Sequence, residues 1–263
     1  MSDSASAVQF DVVVVICAYG RDSLTLQTLR DLGHSSIGHM VCVVDNQGSF
    51  AAPECDAIRV IRPSANLGWA RGSNLGLRSM ISGTDASAFV LLNNDVRLSP
   101  GFIDGLYDAW LHTGAAVIGP AYDHNWPHQR IRYSGQPCDY RSSPVERLVP
   151  FVDGTCMMIS REVVNAVGYL DHRYWPEWGW GCDKDFCLRV RSNVGSVFVT
   201  ERCYLSHHAR GTVAHMPAFT EAKAEAENDA GMAAKWGPEW CDLLYEGFDY
   251  CDRVGLVQKN LGG

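Results

Sequence analysis

No run of apolar residues in this chain approaches the length that a bilayer span requires, and no basic stretch precedes the first apolar run at residues 12–15. The expectation is a protein without a membrane segment or secretory leader, working in the cytoplasm. Basic charge is also scarce: Lys and Arg total 22 against 30 Asp and Glu, for a formal charge of -8 and a pI near 5.5. That balance argues against a broad footprint for nucleic acid or an anionic membrane, although a local basic patch can hide within such a total. The ten cysteines never form a Cys-x-x-Cys pair and lie scattered, several inside apolar runs. They read as reduced core thiols rather than as a zinc site or a disulfide framework. Repeats, low-complexity tracts and clear linkers are missing too, so no second domain is required.

What is present is a core-sized supply of apolar residues, 46% of 263, arranged as short buried strands alternating with helices. Residues 11–17 form a β-branched run, followed by a loop, Ala18-Tyr19-Gly20-Arg21, and a helical pattern that Ser23 is placed to cap and Gly33 to end. A second strand at 40–44 stops at Asp45-Asn46-Gln47-Gly48, and a third covers 58–61. Next, Asn66 through Leu77 opens a helix carrying Gly68, Gly72 and Gly76. Glycine costs a helix about 1 kcal/mol relative to Ala, so three of them imply a backbone lying close to a neighbouring element or to a ligand. The fourth strand, at 89–92, ends in Asn93-Asn94-Asp95, with Ser99 and Pro100 placed to start a helix. Such spacing predicts a parallel sheet with right-handed crossovers over residues 11–118.

Ligands of open α/β sheets bind at the carboxyl ends of strands, so Asp95 is a candidate seat for a divalent cation. An ordinary strand-to-helix turn explains the same residues, since Asn and Asp favour turns. Residues 119–150 are irregular, as functional loops often are. Phe151 onward is again extended, with Asp153-Gly154 inside it, and Ser160 caps a short helix that Gly168 closes. Then comes Tyr174-Trp175-Pro176-Glu177-Trp178-Gly179-Trp180-Gly181-Cys182-Asp183-Lys184-Asp185, in which tryptophans precede two acids at the start of a helix over 186–191. The helix dipole favours ionised carboxylates there, and the aromatic rings can wall a pocket or stack on a sugar, which makes these acids candidate general bases. Routine acidic capping beside an aromatic core is the bland alternative. A strand at 197–200 leads to His207-His208, of which an extended chain can aim only one at a given site. Helices are predicted over 220–235, capped by Thr220, and over 239–254.

Taken in order, these stretches resemble the inverting nucleotide-sugar glycosyltransferases of family 2, especially their rhamnosyltransferase-like branch. Val-Val-Val-Val-Ile-Cys-Ala-Tyr-Gly-Arg (12–21) is similar to the opening strand and loop that hold the nucleobase, and Val-Val-Asp-Asn (43–46) to the second base-binding loop. Asn66-x-Gly68 with Arg71, Gly72 and Asn74 resembles the motif lining the nucleotide pocket. Leu-Leu-Asn-Asn-Asp-Val (91–96) sits where the family keeps its Asp-x-Asp signature, with Asn93 in place of the first acid. Val-Asp-Gly-Thr (152–155) is similar to the acceptor-side motif, and residues 178–189 to the Glu-Asp-x-Asp signature, with Cys182 where a Glu is common.

The resemblance implies a GT-A fold, a Rossmann-like and mostly parallel central sheet flanked by helices, with a helical C-terminal extension. The domain would cover 1–215, divided into a donor half at 11–118 and an acceptor half at 119–215, with the extension at 216–263 packed on it. Implied donor-nucleotide contacts are Ala18, Tyr19, Arg21, Asp45, Asn66, Gly68, Arg71, Asn93 and Asn94. Asp153, Gly154, Trp178 and Trp180 would face the acceptor or its sugar. Asp95 and His207 would hold Mn²⁺ or Mg²⁺, with His208 the less favoured histidine. Asp183 would be the general base, with Asp185 the second choice. The expected reaction is a single displacement from a UDP, GDP or dTDP sugar to a hydroxyl of a glycan, protein, lipid-linked glycan or modified nucleobase, nucleic acid being the least favoured acceptor. Two alternatives stay open: a sugar-nucleotide-binding domain weakened in catalysis by Asn93 and Cys182, and a nucleotidyltransferase, for which the loop at 18–21 is a poor match. The glycosyltransferase reading rests on one requirement, that Asp45, Asp95 and Asp183 converge on one pocket.

Overall fold

Strand parity sorts the core of this protein into two layers, as seen in a computed structural model that describes residues 10–122, 127–133, 135–207, 218–251 and 255–258. In β1 (Val12–Ala18), Val13 and Val15 pack in one cluster, and Val12, Val14 and Ile16 in the other. A strand apolar at every position must be covered on both faces. Here α1 (Asp22–Leu32) and α3 (Phe102–Thr113) cover the even face, while α2 (Gly68–Gly83), α4 (Arg161–Val167) and α5 (Cys182–Asn193) cover the odd one. The remaining strands are β2 (His39–Asp45), β3 (Ile58–Ile61), β4 (Ala88–Asn93), β5 (Val96–Leu98), β6 (Val117–Tyr122), β7 (Glu146–Leu148), β8 (Cys156–Ser160) and β9 (Val197–His207). They form one sheet in the order β3-β2-β1-β4-β8-β6-β9-β5, with β7 also paired to β9.

The sheet is parallel through β3, β2, β1 and β4 but mixed beyond them: β8 runs antiparallel to β4 and β6, and β5 and β7 antiparallel to β9. The central sheet flanked by helices is as expected, with parallel pairing through β3, β2, β1 and β4 and again between β6 and β9, and antiparallel pairing at β8, β5 and β7. Between β6 and β8 the described residues hold no α-helix to make a parallel crossover, only a 3-10 turn at Pro137–Asp139 and β7, and β8 returns antiparallel to β6.

Several boundaries also differ. Neither Ser23 nor Ser99 caps a helix: Arg21 precedes α1 without a side-chain cap, and Ser99 Oγ instead accepts from the Tyr204 amide beyond β5. Helix α5 starts at Cys182, so both acids lie in its first turn. The helix predicted over 239–254 is only α7 (Trp240–Tyr245), since Gly247, at φ +86°, turns the chain into a hairpin of β10 (Phe248–Cys251) and β11 (Gly255–Gln258). Before it, α6 (Glu221–Trp236) is capped as expected by Thr220, whose hydroxyl accepts from the Lys223 amide. No disulfide is formed among the described residues, and Cys42, Cys156, Cys182, Cys187 and Cys203 are buried thiols. No helix among the described residues is long and apolar enough to cross a membrane.

Candidate active site

The parallel strands deliver their polar ends to one edge of the sheet, where α2 begins. Two of its glycines admit no side chain: a Cβ on Gly72 would sit 2.8 Å from Cys17 Sγ, and one on Gly76 2.4 Å from Val15 Cγ1. Of the two readings left open for these glycines, close packing against β1 is the one observed. Asn46 stitches the adjoining loops together, its Oδ1 accepting from the Leu67 amide at 3.1 Å. Gln47 accepts from the Gly20 amide, Asn66 from the Gly68 amide, and Arg71 donates to the Leu67 carbonyl. Tyr19, Arg21, Asn66 and Arg71 remain at least partly exposed on this rim, and Ala18 is buried at the end of β1.

Two expected nucleotide contacts are committed elsewhere. The Asp45 carboxylate is 1% exposed and turned into its own loop, accepting from the amides of Gln47, Gly48 and Phe50 and pairing with Arg62 at 3.2 Å. With those four donors on two oxygens, it is a loop organiser rather than an open acceptor for a base. Asn94 is likewise buried, donating to Thr25 Oγ1 at 3.0 Å and to the Tyr19 carbonyl, so it fastens the turn to α1. Asn93 stays half-buried at the strand end.

Asp95 and His207 do meet. His207 Nε2 lies 3.1 Å from Asp95 Oδ1, brought there by the antiparallel register of β5 on β9. The other imidazole nitrogen, Nδ1, lies 2.9 Å from the Tyr122 hydroxyl, which in turn reaches Thr155 Oγ1 at 3.3 Å. A second partner of this kind fixes ring orientation and leaves Nε2 for a metal. No group of three or more His, Cys, Asp or Glu side chains suited to a metal is found among the described residues. One carboxylate and one imidazole suit an ion such as Mg²⁺ or Mn²⁺, whose shell is completed by phosphate oxygens and water. His208 lies outside the described residues.

Asp183 joins this cluster through the Asp153-Gly154-Thr155 segment. Its Oδ2 accepts from the Gly154 amide at 3.0 Å and its Oδ1 from the Lys184 amide. Thr155, next along, is bonded to Tyr122, and its carbonyl accepts from the Asn93 amide at 2.9 Å. Trp69, from the first turn of α2, closes the other side: a Cβ on Gly154 would lie 2.7 Å from its ring. Burial raises the pKa of Asp183, Lys184 opposes the rise and Asp153 adds to it. Asp153 itself is held by Gln129, whose Oε1 accepts from its amide.

Asp185, two residues on, has a different fate. It is fully buried, paired with Arg189 at 3.0 Å and Lys235 at 2.6 Å, and it accepts from Trp236 Nε1. Fully buried and ion-paired on both oxygens, this carboxylate is not open to an acceptor hydroxyl and serves α5–α6 packing instead. Of the three tryptophans, Trp175 belongs to the core, its Nε1 donating to the Asn228 carbonyl. Trp178 and Trp180 pack edge-on against Phe219, and Trp180 stays 39% exposed. The notch between the start of α2 and residues 172–179 holds about 10 Å³, room for little more than one water.

Several contributors carry no motif. Tyr122 ends an apolar strand and gives no other signal, while Thr155 could have been singled out because it follows Asp153-Gly154 directly. Glu227, from α6, accepts from the amides of Glu177, Trp178 and Gly179, so the C-terminal extension pins the tryptophan loop. Asn228 likewise takes the Lys184 ammonium at 2.8 Å.

The mixed α/β sheet flanked by helices, with carboxylates at its strand ends, is an architecture of the GT-A type. The chain belongs to glycosyl transferase family 2, whose model matches residues 13–168. It is a glycosyltransferase. Over 201 residues it is 33% identical to an uncharacterised protein of Mycobacterium tuberculosis, covering 76% of this chain and 75% of that one. It is 26% identical over 234 residues to that organism's N-acetylglucosaminyl-diphospho-decaprenol L-rhamnosyltransferase, covering 72% and 71%. Among solved structures it is similar to GalNAc-T7 crystallised with UDP, GalNAc and Mn²⁺, with a TM-score of 0.62 and 12% identity. That likeness covers 91% of this chain and 51% of the other, about half its length, and concerns the fold.

Proposed function

We propose that this enzyme transfers a sugar from a nucleoside-diphosphate donor to a saccharide hydroxyl with inversion, and that Asp183 is the general base. The observation carrying this reading is the 153–155 segment, which touches Asp183 at Gly154 and the Tyr122–His207–Asp95 chain at Thr155. Donor-side and acceptor-side groups are thereby held by one short piece of backbone.

Asp183 takes the proton of the acceptor hydroxyl as its oxygen attacks the anomeric carbon. The new glycosidic C–O bond forms on the face opposite the breaking bond to phosphate, and the nucleoside diphosphate departs with the electron pair. The raised pKa of Asp183 makes its carboxylate a stronger base than an ordinary aspartate. Gly154 and Lys184 orient it through their amides. Asp95 and His207 would hold Mn²⁺ or Mg²⁺, which supplies Lewis-acid neutralisation of charge at the leaving diphosphate. Tyr19, Arg21, Asn66, Gly68, Arg71 and Asn93 line the donor side, and Trp180 offers an exposed ring face to the acceptor sugar. The printed activity of the mycobacterial rhamnosyltransferase supports a glycan acceptor. The acidic balance of the chain and its want of a spanning helix among the described residues support a cytoplasmic setting.

A thermal-shift series across UDP, GDP and dTDP sugars, with and without Mn²⁺, tests the donor half of this reading. One nucleotide class should raise the melting midpoint by mass action, and only with the metal. Calorimetric titration of that nucleoside diphosphate should lose its Mn²⁺ dependence in Asp95→Ala. Metal-independent binding of equal strength in both proteins would remove Asp95 from this role.

A further inference from the structure

A sizeable cavity lies away from Asp95, His207 and Asp183. About 540 Å³ in volume, it lies between residues 127–133, residues 140–147 and β9. Arg130, Arg132, Arg141 and Arg147 line it, together with Ser143 and Glu201. In a chain of net charge -8, four guanidinium groups against one carboxylate make this cavity a local concentration of positive charge that favours an anion.

Its internal pairing is incomplete. Arg147 Nη1 bonds to Glu201, whereas Arg147 Nη2 is buried and has no hydrogen-bond partner among the described residues. A buried, unpaired guanidinium nitrogen costs free energy, so it marks a place where an acceptor belongs. Arg130, Arg132 and Arg141 are exposed and form no ion pair among the described residues. His128 does not add charge at neutral pH: burial lowers its pKa to about 4, and its Nε2 bonds to the Phe151 carbonyl. The lining therefore keeps a surplus of three positive charges, more than one carboxylate balances and close to the charge of a diphosphate. Guanidinium forks match phosphate oxygens two at a time.

We propose that this cavity binds a diphosphate group, distinct from the donor's, carried by the acceptor. The 127–133 segment connects the two places, since Arg130 and Arg132 face the cavity while Gln129, the residue just before Arg130, accepts from the Asp153 amide beside Asp183. That the diphosphate belongs to the acceptor rests on the reading of Asp183 as the acceptor-side base; binding by the cavity does not.

Calorimetry with inorganic pyrophosphate in EDTA, which keeps metal away from Asp95 and His207, tests the cavity on the intact chain. The variant Arg130→Gln/Arg132→Gln/Arg141→Gln leaves the Arg147–Glu201 pair in place, and its melting midpoint reports that it folds. It should bind pyrophosphate at least about tenfold more weakly than wild type, because charge-assisted guanidinium contacts carry the interaction. Donor binding with Mn²⁺ should be unchanged, so a failure here is separable from a failure of the donor reading. Farnesyl diphosphate forms a second arm. Equal affinity for both probes means that the diphosphate alone is recognised, as from a soluble source, and tighter farnesyl diphosphate binding points to a lipid-borne one. Absence of binding by either probe, or equal pyrophosphate affinity in the variant and wild type, overturns the proposal.

Discussion

In residues 11–118, three polar groups at strand ends bond close by, Asp45 to its own loop, Asn46 to the residue before α2 and Asn94 to α1, while Asp95 alone of the site carboxylates there crosses to His207. In the acceptor half, the corresponding groups reach far along the chain. Asp183 is met by Gly154, Asp185 by Lys235 and Trp236, and the tryptophan loop by Glu227. The first region is a prefabricated shelf, rigid through local bonds and glycine-tight packing. The second is held in part by α6, which supplies Glu227, Lys235 and Trp236.

The sharpest way to break this comparison lies between two acids a single residue apart. Asp183→Asn should lose roughly two to four decades of turnover, the usual worth of a positioned base, while retaining donor affinity. Wild-type turnover should fall as pH drops through the raised pKa of Asp183, an acid limb above the ordinary aspartate range that the variant lacks. The sign for stability is opposite. A carboxyl whose folded pKa is raised stabilises the fold in its protonated form, and that contribution is lost as pH rises through the folded value. At neutral pH, removing the charge therefore brings no large destabilisation, and denaturant melts of Asp183→Asn should lie within about 1 kcal/mol of wild type. Asp185→Asn should do the reverse, lowering stability by about 3–5 kcal/mol because Arg189 and Lys235 lose their buried counter-charge. A stable but inactive Asp185→Asn would reverse the two assignments.

Glu227 tests whether the extension belongs to the site. Glu227→Ala strips three loop amides of a charged acceptor, for about 1–2 kcal/mol of loop stabilisation in this partly exposed setting. Steady-state kinetics should show the acceptor KM rising while nucleoside-diphosphate affinity stays fixed. A parallel loss of donor affinity would mean that the two halves are not independently built.

The same contrast explains what the sequence disclosed. The donor half was legible because buried β-branched runs and helix periodicity are local signals, and the short helix between Ser160 and Gly168 was legible through its caps. Asp95, His207 and Asp183 could be singled out because their motifs are ordered along the chain. What those motifs could not reveal is which carboxylate oxygens stay open. Asp45 and Asp185 look like site residues in sequence, but their donors come from Arg62 in one case and from α6 in the other. Tyr122 and Glu227 act through partners 85 and some 50 residues away, a separation that no local pattern records. The antiparallel turn of β8 and β5 was hidden for a related reason, since strand direction is set by connections and not by the strands themselves.

The smallest predicted effect probes the shelf. Gly76→Ala gains helix propensity of up to about 1 kcal/mol. Against that gain, the new methyl must displace Val15, whose Cγ1 would stand 2.4 Å away inside a fully packed strand, with Val44 Cγ2 at 3.1 Å. Overpacking of this kind costs about 1–3 kcal/mol, so the net loss should be on the order of 1 kcal/mol in denaturant melts. Val15→Ala alone leaves a cavity and is destabilising as well. If the clash is the cause, the double variant Gly76→Ala/Val15→Ala should be more stable than the sum of the two singles predicts, because the added methyl occupies the space that the valine vacated. Strict additivity would mean that α2 can shift on β1, and that the donor side is as adjustable as the acceptor side.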